Sequence, residues 1–169
     1  ATGNWNDAGV WAYRSGGAAT ATEPTATKNA IIEAGNTATI LDNPAGQASK
    51  SMLSLTINGT LAISDLNGRI VNVDVGAGGL ILGPSANITG ADDDIITVGG
   101  DISLTNSATP THPLLEVNFS SQNNTTSGTG SLRYMHIDQN NQTFSGSVSF
   151  TTFDVDGTGT NNGTITVTG

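Results

Sequence analysis

The sequence predicts an all-β fold: a single-stranded right-handed parallel β-helix (a β-solenoid) of about seven coils behind an N-terminal cap. Three observations carry this expectation. Thr, Ser, Asn and Gly make up 79 of the 169 residues, while strong helix formers are scarce. Short stretches alternate apolar and polar side chains, the two-residue period of a strand. A unit of Gly, any residue, apolar, any residue, apolar recurs along the chain. The alternative is an antiparallel β-sandwich or jelly roll, which regular short strands between turns would also suit.

Residues 1–28 lack the repeat and read as a cap or as a strand-donating segment. Gly3-Asn-Trp-Asn-Asp-Ala-Gly-Val-Trp11 holds both tryptophans of the chain. Trp5 and Trp11 are expected to cover the open apolar end of the first coil, since large indoles bury well and such an end must be covered. The competing roles are a contact with a neighbouring subunit and a platform that stacks on sugar rings. Ala18-Ala-Thr-Ala-Thr22 alternates small and polar residues, as a donated strand would.

Residues 29–169 form the expected solenoid. Its units are Asn36-Thr-Ala38-Thr-Ile40, Gly59-Thr-Leu61-Ala-Ile63, Gly78-Gly-Leu80-Ile-Leu82, Gly100-Asp-Ile102-Ser-Leu104, Gly130-Ser-Leu132-Arg-Tyr134, Gly146-Ser-Val148-Ser-Phe150 and Gly163-Thr-Ile165-Thr-Val167. Their starts lie 23, 19, 22, 30, 16 and 17 residues apart. Stacked, they predict two inward columns, one from Ala38 through Leu61, Leu80, Ile102, Leu132 and Val148 to Ile165. The other runs from Ile40 through Ile63, Leu82, Leu104, Tyr134 and Phe150 to Val167. Alternating strands such as Leu55-Thr-Ile57 and Val73-Asp-Val75 precede several glycines, so each coil bends from one strand into the next. The long interval near 105–129 predicts a protruding loop.

The last unit is a strand pattern without a following cap, and the final 20 residues hold neither Lys nor Pro to blunt an edge. Gly163, Thr164, Ile165, Thr166 and Val167 are therefore the expected subunit interface, joined by Trp5 and Trp11 at the other end. Head-to-tail pairing that does not close yields a filament, so the expected partner is a second copy of the chain.

Charge removes several function classes. Five Lys and Arg stand against 14 Asp and Glu, a net charge of −9, which argues against binding nucleic acid or an anionic membrane surface. No apolar run approaches the roughly 18 residues of a membrane span, and the chain reads as secreted and processed at its N-terminus. With no Cys, there is neither a disulfide framework nor a thiolate metal site. His112, in a Thr-His-Pro turn, and His136, on a strand, lack triad or zinc partners nearby in sequence and are expected to be structural or solvent-facing. The strands before the glycines stack Glu33, Thr56, Asp74, Thr97 and Glu116, spacing acids two coils apart, about 9.6 Å. That misses the carboxylate separation of a retaining glycosidase and only brushes that of an inverting one. No catalytic residue is assigned, and a β-helical carbohydrate-active enzyme ranks third. An ice-binding face, which needs a regular Thr array, is interrupted at Gly79, Asp101 and Arg133.

Hard oxygen ligands on turns make Ca2+ the one candidate cofactor, at Asp92 and Asp94 and at Asp154 and Asp156. Of seven Asn-x-Ser/Thr sequons, Asn118, Asn123 and Asn124 are the glycosylation candidates, on the expected loop.

The Gly3–Trp11 element, with Ala34-Gly-Asn-Thr-Ala-Thr-Ile40 and Leu55-Thr-Ile-Asn-Gly-Thr-Leu61 behind it, resembles secreted bacterial surface proteins. In these a right-handed parallel β-helical region opens with Gly-Asn-Trp-x-Asp-x-x-x-Trp. The resemblance covers roughly residues 3–104 and implies an extracellular or cell-surface location with a structural or adhesive role. It brings no catalytic residue. The expectation is thus an extracellular structural subunit of a self-assembling filament, with a surface adhesin or carbohydrate-binding module (contacting cell-surface or matrix glycans) as the alternative.

Overall fold

The computed structural model describes residues 2–7, 10–12, 22–41, 49–64, 70–91, 93–139, 141–155 and 166–168. These form fifteen strands and no helix. In chain order they are β1 (Gly3–Asn4), β2 (Asn29–Ile32), β3 (Thr37–Leu41), β4 (Ser49–Ile57), β5 (Thr60–Ser64), β6 (Asn72–Leu82), β7 (Asn87–Thr89) and β8 (Ile95–Val98). There follow β9 (Ile102–Leu104), β10 (Glu116–Phe119), β11 (Thr125–Gly128), β12 (Ser131–Ile137), β13 (Thr143–Gly146), β14 (Ser149–Val155) and β15 (Thr166–Thr168).

Every pairing among the described residues is parallel, so the antiparallel sandwich finds no pair there. One sheet runs β1-β3-β5-β7; the second, of 11 strands, runs from β14 through β6 to β15, with β4 joined to β2 and β6. That second sheet is curled because β4 and β6 each serve two faces. In β6, Asn72–Val75 pairs with β8 while Leu80–Leu82 pairs with β9. The bend falls at Gly76-Ala77-Gly78, and its counterpart in β4 is the register shift between Met52 and Ser54.

Side-chain alternation then divides inside from outside. Several aligned rows among the described residues carry buried side chains, three of them as follows. Ala30, Leu55, Leu80, Ile102, Thr126, Phe144 and Val167 align in one. Met52, Val75, Val98 and Phe119 align in a second. Ala38, Leu61 and Ile88 align in a third. Every apolar member of the three rows is buried, Val167 excepted, whose side chain lies outside the described part of the chain. Each fully buried aliphatic contributes on the order of 1.5–3 kcal/mol.

The two predicted columns need correction. Leu61 aligns with Ile88, not Leu80, and Leu132 aligns with Phe150, not Ile102. The Gly-led signature marks any bend followed by a strand, and each repeat has more than one such bend, so the signature alone merges units from different faces into one column. Tyr134 is not inward: alternation slips at Arg133, burying Leu132, Met135 and Ile137 and turning Tyr134 out. Nor do the acids stack as expected. Asp74 aligns with Thr97, and Thr97 with Asn118, His136 and Asp154, whereas Glu116 aligns with Ile95 and Tyr134. Residues 105–129, expected to protrude, contribute β10 and β11 to the sheet.

The repeat shortens along the chain. Met52, Val75 and Val98 follow one another at 23 residues, whereas Val117, Met135 and Phe153 follow at 18.

Candidate functional site

Two regions set the possible chemistry: the two ends of the strand order, and an outward face shared by β10, β12 and β14.

At the amino end, β1 pairs with β3, and the Trp5 amide extends that pairing by donating to the Thr39 carbonyl at 2.6 Å. Trp5 is 1% exposed and Trp11 8%. Their rings meet edge to face at 4.6 Å, and the Trp11 indole N–H donates to the Trp5 carbonyl at 2.7 Å. Both indoles are thus sealed in the interior beside β1, with neither face open in this structure to a pyranose ring or a neighbouring subunit.

At the opposite end, β14 pairs with β12 and closes one end of the strand order, and β15 pairs with β13 and closes the other. Phe153 and Val155 align with the buried Met135 and Ile137, yet are 43% and 47% exposed. Phe153 packs with Phe144 and Phe150, ring centroids 5.3 and 5.4 Å away, so an aromatic cluster ends on an open edge. Thr166 and Val167, expected at the interface, align with Thr143 and Phe144 at that edge. Gly163, Thr164 and Ile165 lie outside the described residues, as do residues 18–21 of the expected donor strand.

The outward face carries the polar chemistry. His136 Nδ1 lies 3.0 Å from Glu116 Oε1, which also accepts from Asn118 at 3.1 Å. The Tyr134 hydroxyl donates to Asp154 Oδ2 at 3.3 Å, and its ring stacks on His136 at 6.4 Å. Partial burial pulls the imidazole pKa down, but the Glu116 hydrogen bond and charge, with Asp138 and Asp154, outweigh it, leaving it above the ordinary 6.5. The Tyr134 hydroxyl is pushed up by burial, then by the charges of Asp154 and Glu116 and the bond to Asp154. A raised histidine pKa means that the folded chain holds more protons than the unfolded one just above pH 6.5, so this contribution is full below about pH 6.5 and is lost on raising the pH. We expect wild type to lose roughly 1–3 °C more in melting midpoint than His136→Gln between about pH 6 and about pH 8.5. Parallel melting curves for the two proteins would contradict this.

Of the calcium candidates, the structure describes Asp94 and Asp154. Asp92 and Asp156 lie outside the described residues. Asp94 is fully buried and committed: Oδ2 lies 2.6 Å from His112 Nε2, and Oδ1 accepts the Val71 amide at 2.9 Å. Its inward placement in the curled sheet removes it from any surface loop. Asp154 is engaged by Tyr134. Among the described residues no three His, Cys, Asp or Glu side chains gather as a metal site.

Of the glycosylation candidates, Asn124 is corrected. Its side chain is buried, and its amide donates to the Ser121 carbonyl at 3.0 Å and hydroxyl at 2.7 Å, bonds a glycan would break. Asn118 is half-buried within β10, and Asn123 is exposed. Sequence reasoning missed the Asp94–His112 pair and the surroundings of Lys50. A Lys at an inward strand position, preceding Met52 by two residues, was the available signal for the latter.

What the fold defines is a class, an all-β chain of mostly parallel strands in a curled sheet. Comparison with known protein families, curated proteins and solved structures finds no match for this chain.

Proposed function

We propose that this chain is an extracellular structural subunit, wound as a right-handed parallel β-solenoid and assembling into filaments with further copies of itself. The observation that supports the reading is the edge of β14, where an inward row continues to Phe153 and Val155, 43% and 47% exposed, and no further strand pairs among the described residues. A strand edge without a partner, beside exposed apolar side chains, is a template for strand addition. A second copy adding a strand there would satisfy the backbone groups and bury both side chains at once. The Thr, Ser and Asn outward positions and the charge of −9 favour solubility along the sides.

The test is negative-stain microscopy with sedimentation of the purified chain. Wild type should form unbranched filaments whose mass grows with concentration. Phe153→Asp should remain monomeric with an unchanged circular dichroism spectrum, because the new charge sits at an exposed position. Wild type that stays monomeric across the accessible concentrations would sink the reading.

A further inference from the structure

Lys50 is out of place by pattern. It begins an inward row whose later members are Val73, Ile96, Val117, Met135 and Phe153. Its side chain is only 12% exposed. A lysine at such a position needs partners for its ammonium group, and two come from the N-terminal segment. Nζ lies 2.5 Å from Asn6 Oδ1 and 3.0 Å from Glu23 Oε2. Asn6 directly follows the buried Trp5 and Lys50 lies on β4, so both backbones belong to packed segments although the Asn6 side chain is exposed.

These three groups are a nucleophile, an acyl donor and a proton carrier around one atom. Given the carbonyl bond length, Nζ stands no farther than about 3.7 Å from Asn6 Cγ, close to the separation at which positioned reactants attack. The geometry points to an intramolecular isopeptide cross-link between Lys50 Nζ and Asn6 Cγ, formed by the chain itself with Glu23 as its acid–base catalyst. Glu23 takes a proton from the Lys50 ammonium. The freed amine pair attacks Cγ, and the new C–N bond gives a tetrahedral centre. Glu23 relays the first proton to Nδ2, and the Cγ–Nδ2 bond breaks with its electron pair on nitrogen, releasing ammonia. Glu23 then takes the second proton from Nζ and passes it to that ammonia, which departs as ammonium. One ammonium enters and one leaves, so charge and atoms balance with no outside reagent. The linkage would fasten the tryptophan cap to β4 covalently, and it stands independently of the assembly reading.

The test is intact mass spectrometry of the purified full chain after incubation at neutral pH, followed by fragmentation of its proteolytic peptides. Wild type should weigh about 17 Da less than its sequence, the mass of one ammonia, and should yield a branched peptide joining Asn6 to Lys50. Lys50→Arg, which keeps the charge, and Glu23→Gln should both fold, by circular dichroism, and both show the full sequence mass. Two results overturn the proposal. One is folded wild type at its full sequence mass. The other is a deficit that persists in Lys50→Arg, which would mark ring closure of Asn6 on its own backbone.

Discussion

Replacing Asp94 with alanine should lower the stability of the chain by about 3–5 kcal/mol, read as a shift of the urea midpoint. Asp94 directly precedes β8, where Ile95 aligns with Asn72 and Glu116, and Val71 and Leu115 before those two partners are both buried, so a carboxylate occupies an apolar corner. It is kept there by the Val71 amide at 2.9 Å and the His112 ring at 2.6 Å, and its own backbone carbonyl accepts the Glu116 amide at 2.9 Å. Alanine leaves the amide and the ring nitrogen buried without partners, and each orphan costs about 1–3 kcal/mol. Asp94→Asn retains an acceptor for Val71 and should cost less. His112→Ala strands the carboxylate instead, so the double variant should lose less than the sum of the two single ones. A loss below about 1 kcal/mol for Asp94→Ala would show that the pair does not support the corner.

Gly128→Ala should be comparably damaging, on the order of 3–5 kcal/mol. Gly128 has φ +120, a backbone conformation reserved for glycine, and an added Cβ would collide with the Leu104 carbonyl oxygen. That oxygen already accepts the amides of Thr129 and Gly130, both at 2.9 Å, so it cannot retreat without breaking the step between two repeats. Gly35 supplies the comparison. It also has positive φ, +76, but nothing lies within 4 Å of its added Cβ. Gly35→Ala should therefore cost only about 1–2 kcal/mol. Equal losses at the two sites would mean that dihedral strain alone, rather than the close approach to Leu104, sets the effect.

Much of the fold could be read from alternation. Leu55-Thr-Ile57 and Val73-Asp-Val75 announce their strands and their inward faces, and Trp5 and Trp11 announce a cap by their bulk and their place ahead of the repeats. The register could not be read the same way. A glycine followed by two alternating apolar residues describes Gly59–Ile63 and Gly78–Leu82 equally, yet these belong to different sheets. The interior polar residues escaped for a related reason. Hydropathy places Asp94, Thr126 and Lys50 outside, whereas pairing between strands puts Thr126 and Lys50 in inward rows and Asp94 is fully buried. His112 looked like part of a Thr-His-Pro turn because its partner lies 18 residues away in the chain. The open edge at Phe153 and Val155 was hidden in turn, since the sequence placed the exposed strand in the final unit rather than in β14.

The successive pairing of repeats gives the molecule a grain. Among the described residues each strand pairs with those beside it in the order, so in the solenoid proposed above the strength of the whole is a string of local terms instead of a single knot. Opening one step bares the next and leaves remote steps shut. On that reading heat, a protease or a pull would unzip the described strands from the half-exposed Val155 edge, one layer at a time, with the buried indoles of Trp5 and Trp11 the last to yield.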